Sequence, residues 1–257
     1  MKKLLSLLSF IICLGFFSVT FAQEVKEVVF IADPWPPYNI GKTQIEEGIA
    51  LEICKELFSR LSIKFSTRLY PWKRVLFYLK EGEESMGKKV DFTFPIIKTK
   101  EREEYLVFSE AIISDRSVLL FNKKRKDGPI DWTGKIEDLK QYKFGVVYGY
   151  SYGKMFDNAF KNGILKTESN VTTEANFKKL LSKRIDIIKG SETVALYNIN
   201  KIPGAKGEII SSNNAIEISY YRLGISRKSQ LVSLLPNINR IIHEMINDKT
   251  INNIIGK

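Results

Sequence analysis

From Glu27 onward the sequence alternates short apolar runs with amphipathic stretches of helical period, and no low-complexity linker or internal repeat interrupts that order. Such alternation commits a chain to α/β layers, with strands buried between helices. Val28-Val29-Phe30-Ile31-Ala32 reads as a buried strand. Asp33-Pro34-Trp35-Pro36-Pro37-Tyr38 must leave it as a loop, because three prolines cannot continue a hydrogen-bonded ladder. Gly48 to Leu61 spaces Ile49, Ile53, Leu57 and Leu61 every four residues, with Ala50, Cys54 and Phe58 beside them, which predicts a helix with a wide apolar stripe. A second strand is expected over Ile63 to Leu69, and a helix carrying Trp72, Val75, Leu76 and Leu79 begins after Pro71. In a third strand Val90, Phe92 and Phe94 alternate with Asp91 and Thr93, and Pro95 should end it. Two successive strand-helix-strand units should pair their strands in parallel with right-handed crossovers.

Ser117 to Asn122 is a further strand, followed by a charged, turn-rich excursion from Lys123 to Gly134. A second set opens with the strand Lys143 to Tyr148, then Gly149 and a helix carrying Tyr152, Met155, Phe156, Ala159 and Phe160. Helices are expected around Phe177 to Leu181 and Thr193 to Ile199, with a strand over Ile185 to Ile188 between them. Ile216 to Ser226 is strand-rich, and Leu231 to Ile246 repeats apolar residues at helical spacing.

The first 22 residues follow another pattern. Lys2 and Lys3 precede an uncharged apolar run from Leu4 to Phe17, shorter than a membrane-spanning helix needs, and Thr20-Phe21-Ala22 suits signal-peptidase cleavage before Gln23. Cys13 follows Phe10-Ile11-Ile12, so a lipidation site is the weaker reading. Of 257 residues, 235 would remain after cleavage, enough for one large domain or two lobes with separate cores. No intramolecular disulfide can form, since only Cys54 remains, and Cys54 with the single His243 cannot furnish a zinc ligand set. The net charge of +11 becomes +9 without Lys2 and Lys3. The lysines are scattered and not interleaved with aromatics on one face, so a solvated basic surface is expected and no nucleic-acid groove.

The order of residues resembles the family 3 extracellular solute-binding proteins of amino-acid importers across essentially the whole mature chain. The most specific piece is Val90-Asp91-Phe92, Thr99-Lys100-Glu101-Arg102 and Phe108-Ser109, similar to the family's "D…T-x-x-R…F-S" block. Pro36-Pro37-Tyr38, Gly48, Gly149-Tyr150-Ser151 and Leu180-Leu181-Ser182-Lys183-Arg184-Ile185-Asp186 match further pieces, the last with Lys183 where glycine is usual. Pro71-Trp72-Lys73-Arg74 resembles a divergent branch. The resemblance implies a type II periplasmic-binding-protein fold: two α/β lobes, each a sheet flanked by helices, joined by two crossing strands. Lobe one would be residues 23–114 with 214–257, lobe two 115–213, and the ligand would lie between them, where strand ends and helix starts of such sheets face.

Arg102 is the first candidate contact, since its guanidinium offers two parallel donors to a carboxylate and matches the family's carboxylate-binding arginine. It could instead be a surface residue of the charged run Lys98 to Glu104. The turn Gly149-Tyr150-Ser151-Tyr152 would offer backbone N–H groups and a helix dipole to an anion. Asp33 could accept from a ligand ammonium while Trp35 and Tyr38 cover its apolar part, or could simply be a turn residue before Pro34. Trp72 and Arg74 are divided between cleft and, respectively, core or solvent. Pro95 and Ile97 stand where amino-acid binders carry glycine and threonine. Ser191 stands where they carry an ammonium-binding aspartate, a role the neighbouring Glu192 could assume. These features predict a monomeric periplasmic binder of a small polar, carboxylate-bearing ligand, with no cofactor, that delivers it to an importer permease or a sensor. A secreted dehydratase-like enzyme on the same scaffold is the alternative, with Asp33, Glu52 and Glu192 as its available acids and His243 on a helix surface.

Overall fold

The computed structural model describes residues 25–124, 130, 132–212 and 215–256. The expected leader over 1–22, with Lys2, Lys3 and Cys13, lies outside the described residues, as do positions 125–129 and 131 of the turn-rich excursion and position 214. Strand β1 (Glu27–Ala32) is followed by α1 (Ile49–Arg60), β2 (Lys64–Leu69), α2 (Trp72–Glu81) and β3 (Phe92–Ile97). β1 pairs in parallel with β2 from Glu27↔Lys64 to Ala32↔Leu69, and with β3 at Phe30↔Phe92, as two helical crossovers require. The stripe on α1 buries Ala50, Ile53, Cys54, Leu57 and Phe58. Its start is fixed by Gly48, whose φ is 126°; a Cβ there would lie 2.3 Å from the carbonyl oxygen of Tyr38.

The chain continues through α3 (Lys100–Glu103), β4 (Leu106–Phe108) and β5 (Ile113–Asn122) into β6 (Lys143–Val147), α4 (Lys154–Lys161), β7 (Lys166–Asn170) and α5 (Thr173–Leu181). Then come β8 (Ile188–Ser191), α6 (Glu192–Lys201), β9 (Ile209–Ser211), β10 (Glu217–Ser226), α7 (Leu235–Asn247) and α8 (Thr250–Ile255). β5 and β10, ten residues each, pair antiparallel between Ile113–Ser117 and Glu217–Tyr221. Beyond that ladder they part: β10 runs on beside β3 and β4, and β5 beside β8 and β9. The strand order is therefore β2-β1-β3-β10-β5-β8, and the parallel pair β6-β7 joins the second group through a bridge at Phe144↔Ile187.

Each group is covered on both faces. Phe30, Phe58 and Phe92 stack among α1, α7 and α8, with ring centroids 4.8–4.9 Å apart, and Ile31, Val75, Leu79 and Leu106 fill the other side under α2. In the second group Leu120, Phe177, Leu180 and Ile188 form one core, and Leu119, Phe144, Phe156 and Ile187 another. This is a mixed α/β, two-lobed architecture.

Three local expectations are corrected. β3 does not end at Pro95 but runs on to Ile97, because its ladder with β10 shifts register between Arg222 and Gly224, so that the missing proline N–H falls at the irregularity. The strand expected over Ile185 to Ile188 lies at Ile188–Ser191 instead, since Asp186 and Ile187 spend their N–H groups on the carbonyl of Lys143. Tyr152 precedes α4 and is not part of it. Cys54 is buried, and His243 is an exposed residue of α7 paired with Glu110.

Truncating Phe92, fully buried at the centre of the first core, should cost about 3–5 kcal/mol. Urea unfolding of Phe92→Ala at unchanged m-value would read that loss directly.

Candidate ligand-binding cleft

A cavity of about 90 Å³ lies where the two groups of strands face each other, enough for several waters or a small molecule of comparable size. Asp33 and Trp35 from the loop after β1, Trp72 at the start of α2, Pro95 and Ile97 of β3, and Arg102 of α3 line one side. Tyr150, Ser151 and Tyr152, with Lys189 and Ser191 of β8, line the other, and Ser117, Ser219 and Tyr221 of the crossing strands complete it.

Arg102 reaches the cavity because Thr99 caps α3, its Oγ1 accepting the Arg102 N–H at 3.3 Å. The guanidinium is only 5% exposed. Nη1 donates to the Ile97 carbonyl at 2.7 Å, Nη2 to the Gly149 carbonyl at 3.0 Å, and the group lies 5.4 Å from the Trp72 ring centroid. Burial lowers its pKa. Trp72 donates its indole N–H to the same Gly149 carbonyl at 2.9 Å. Two groups from the first half of the fold thus converge on one backbone oxygen of the second.

The rest of the motif that carries Arg102 splices strands together. Asp91 accepts the Val29 N–H at 2.8 Å and the Ser229 hydroxyl at 2.6 Å. Ser109 accepts the Leu223 N–H at 3.0 Å and donates its own N–H to the Leu223 carbonyl.

Asp33, at the end of β1, accepts the Tyr150 hydroxyl at 2.5 Å. Tyr150 stands between Trp35 and Trp72, edge-on to each at 6.2 and 5.8 Å. Burial outweighs the Tyr150 hydrogen bond and the attraction of Arg102, so the Asp33 carboxyl is pushed up to about 7.

Four sequence candidates do not form the cavity wall. Arg74 lies on the exposed side of α2, where Trp72 and Val75 take the buried positions. Tyr38 is buried behind Trp35, stacked on it at 4.9 Å, with its hydroxyl donating to Asp115 at 3.0 Å. Gly149 meets Arg102 and Trp72 through its carbonyl, and the α4 start turns to its own acid. Asp157 accepts the Tyr152 N–H at 2.7 Å and the Ser151 hydroxyl at 2.6 Å, and Tyr150 N–H bonds the Val147 carbonyl. Glu192 turns to Arg116, 3.4 Å away. The acid beside Ser191 is instead Asp115, from β5, which accepts the hydroxyls of Tyr38, Ser191 and Thr193.

Lys189, 3% exposed, is a cavity residue that the sequence candidates omit. Its ammonium bonds Ser117 Oγ at 2.8 Å and Glu217 Oε1 at 2.6 Å and lies 5.2 Å from the Phe156 ring centroid. The available signal is a lysine inside the apolar run Ile187-Ile188-Lys189-Gly190, where a charge has to find partners.

Two α/β lobes sharing two strands, with buried polar side chains converging from both, define a two-lobed solute-binding protein. The chain belongs to the bacterial extracellular solute-binding proteins, family 3, whose model matches residues 28–257. Among solved structures it is similar to an ancestral arginine-binding protein bound to arginine, at 20% identity over 91% of this chain and 97% of that one, with a TM-score of 0.72. A histidine kinase sensor domain with similarity to periplasmic binding proteins matches at 16% identity over 91% and 96%, TM-score 0.75. An ancestral amino-acid-binding protein described as a precursor of cyclohexadienyl dehydratase matches at 18% over 90% and 93%, TM-score 0.68. At these identities the likeness is one of fold. No curated protein matches the chain in sequence. Among the described residues, no helix is long and apolar enough to cross a membrane.

Because the Asp33 carboxyl titrates near 7 when folded and near 3.8 when unfolded, the native state keeps a proton the unfolded chain releases between those values. Stability should therefore fall as pH rises from about 4 to 7 and level off above. Asp33→Asn should remove roughly 2–3 kcal/mol of the difference between pH 5 and pH 8. Denaturant titrations of both proteins at the two pH values check this.

Proposed function

We propose that the protein is secreted with cleavage after Ala22 and works in the periplasm, where it captures a small polar, carboxylate-bearing ligand, an amino acid or related compound. Lobe one comprises residues 23–114 with 214–257 and lobe two residues 115–213, which agrees with the separation of the hydrophobic cores. The ligand contacts both lobes, stabilises their closure about β5 and β10, and an inner-membrane permease or sensor reads that state. The observation that carries this reading is Arg102, a buried guanidinium at the cavity wall that donates to carbonyls from both halves of the fold. Two of its five donors are so engaged, which leaves donors for a carboxylate. Asp33, Trp35, Trp72, Tyr150, Ser151, Tyr152 and Ser191 supply further contacts, with Pro95 and Ile97 as apolar wall.

One observation favours an enzyme on this scaffold: an acid that titrates near 7 suits general acid–base work. Against it, Glu52 pairs with Lys55 on the exposed side of α1 and Glu192 with Arg116, so among the described residues Asp33 has no second carboxyl beside it on the cavity wall. Binding without turnover is the better account.

Thermal-shift screening of the mature protein against amino acids, small carboxylates and polyamines tests both. A true ligand at 100 times its Kd adds about 2.7 kcal/mol, or roughly 5–10 °C for a chain of this size. Arg102→Ala should abolish the shift for an anionic ligand while the protein still unfolds cooperatively, and conversion of any bound compound to product would reject the binding reading.

A further inference from the structure

Two cations, not one, are buried at the cavity wall. Arg102 and Lys189 are 5% and 3% exposed, and both line the same cavity. An ammonium has three donors and a guanidinium five. Lys189 uses two, on Ser117 and Glu217, and Arg102 uses two, on backbone carbonyls. Among the described residues no carboxylate lies within 4 Å of the Arg102 guanidinium. The partner of Lys189 is lopsided, since the Glu217 side chain is 41% exposed while the Lys189 side chain is 2% exposed, so solvent weakens the attraction from the carboxylate end. The other nearby acids are engaged: Asp33 by Tyr150, Asp115 by three hydroxyls, and Asp157 by the start of α4. The charged side chains with donors to spare on this wall are therefore cationic, and they stand on opposite lobes.

We infer that Lys189 is a second anion-binding group and that the cleft selects a ligand with two carboxylates, one on Arg102 and the other on Lys189. This rests on the reading of Arg102 as a carboxylate contact. Lys189 meets the second carboxylate with its remaining donor, or by releasing the half-solvated Glu217.

Calorimetric affinities for four probes test the inference: glutamate, its neutral-side-chain isostere glutamine, glutarate and butyrate. Each member with two carboxylates, glutamate over glutamine and glutarate over butyrate, should bind at least tenfold more tightly at pH 7. Comparison of glutamate with glutarate distinguishes an acidic amino acid from a plain dicarboxylate. Lys189→Met should bring the preference close to one, and Lys189→Arg should retain it. Should Lys189→Met fail to fold, Glu217→Gln decides, because freeing the ammonium should raise the preference severalfold. Glutamine and butyrate binding as tightly as their acidic counterparts would overturn the role of Lys189 while leaving that of Arg102, and binding of none of the four would overturn both.

Discussion

The antiparallel ladder between Ile113–Ser117 and Glu217–Tyr221 is the interaction on which the molecule depends. β5 and β10 each belong to two neighbourhoods, and buried backbone groups must stay paired throughout their length. The strands solve this by exchanging partners: β10 passes from β5 to β3 and β4, and β5 passes from β10 to β8 and β9. The cavity sits beside that exchange. Asp115, within the ladder, ties the Tyr38 hydroxyl, Ser191 and Thr193 to one carboxylate, so the loop after β1 and the start of α6 are referenced to the same strand.

The cleft tolerates buried charge by giving each group a different partner. Asp33 is held toward its neutral form by burial, against the pull of a tyrosine hydroxyl, Arg102 leans on an indole face and two carbonyls, and Lys189 keeps a half-solvated carboxylate. At the start of α4, Asp157 already accepts the Tyr152 N–H and the Ser151 hydroxyl. The long cationic side chains keep donors that are directional and not all committed.

Much of the fold was legible because its signals are periodic. The stripe on α1, the parallel pairing among the first three strands and the presence of a late strand over the range of β10 follow from local patterns. Even the motif around Arg102 divides by role: Asp91 and Ser109 splice strands, and Thr99 caps the short helix that turns Arg102 inward. Pro95 misled because a proline halts a regular ladder but not one whose register shifts opposite it. Arg74 and Trp72 are two residues apart, and helical geometry alone sends one to solvent and the other to the core and cavity.

The sequence by itself determined the α/β class, the element order and the membership of a solute-binding family, and it singled out Arg102 as a candidate, since each depends on spacing within short stretches. Only the tertiary structure decided which groups share the cavity wall. The acid beside Ser191 is not its neighbour Glu192 but Asp115, 76 residues away, and the second buried cation meets Glu217 from a strand 28 residues later. Such meetings are set by the register of long-range ladders and the packing of helices across them, and no local period encodes either.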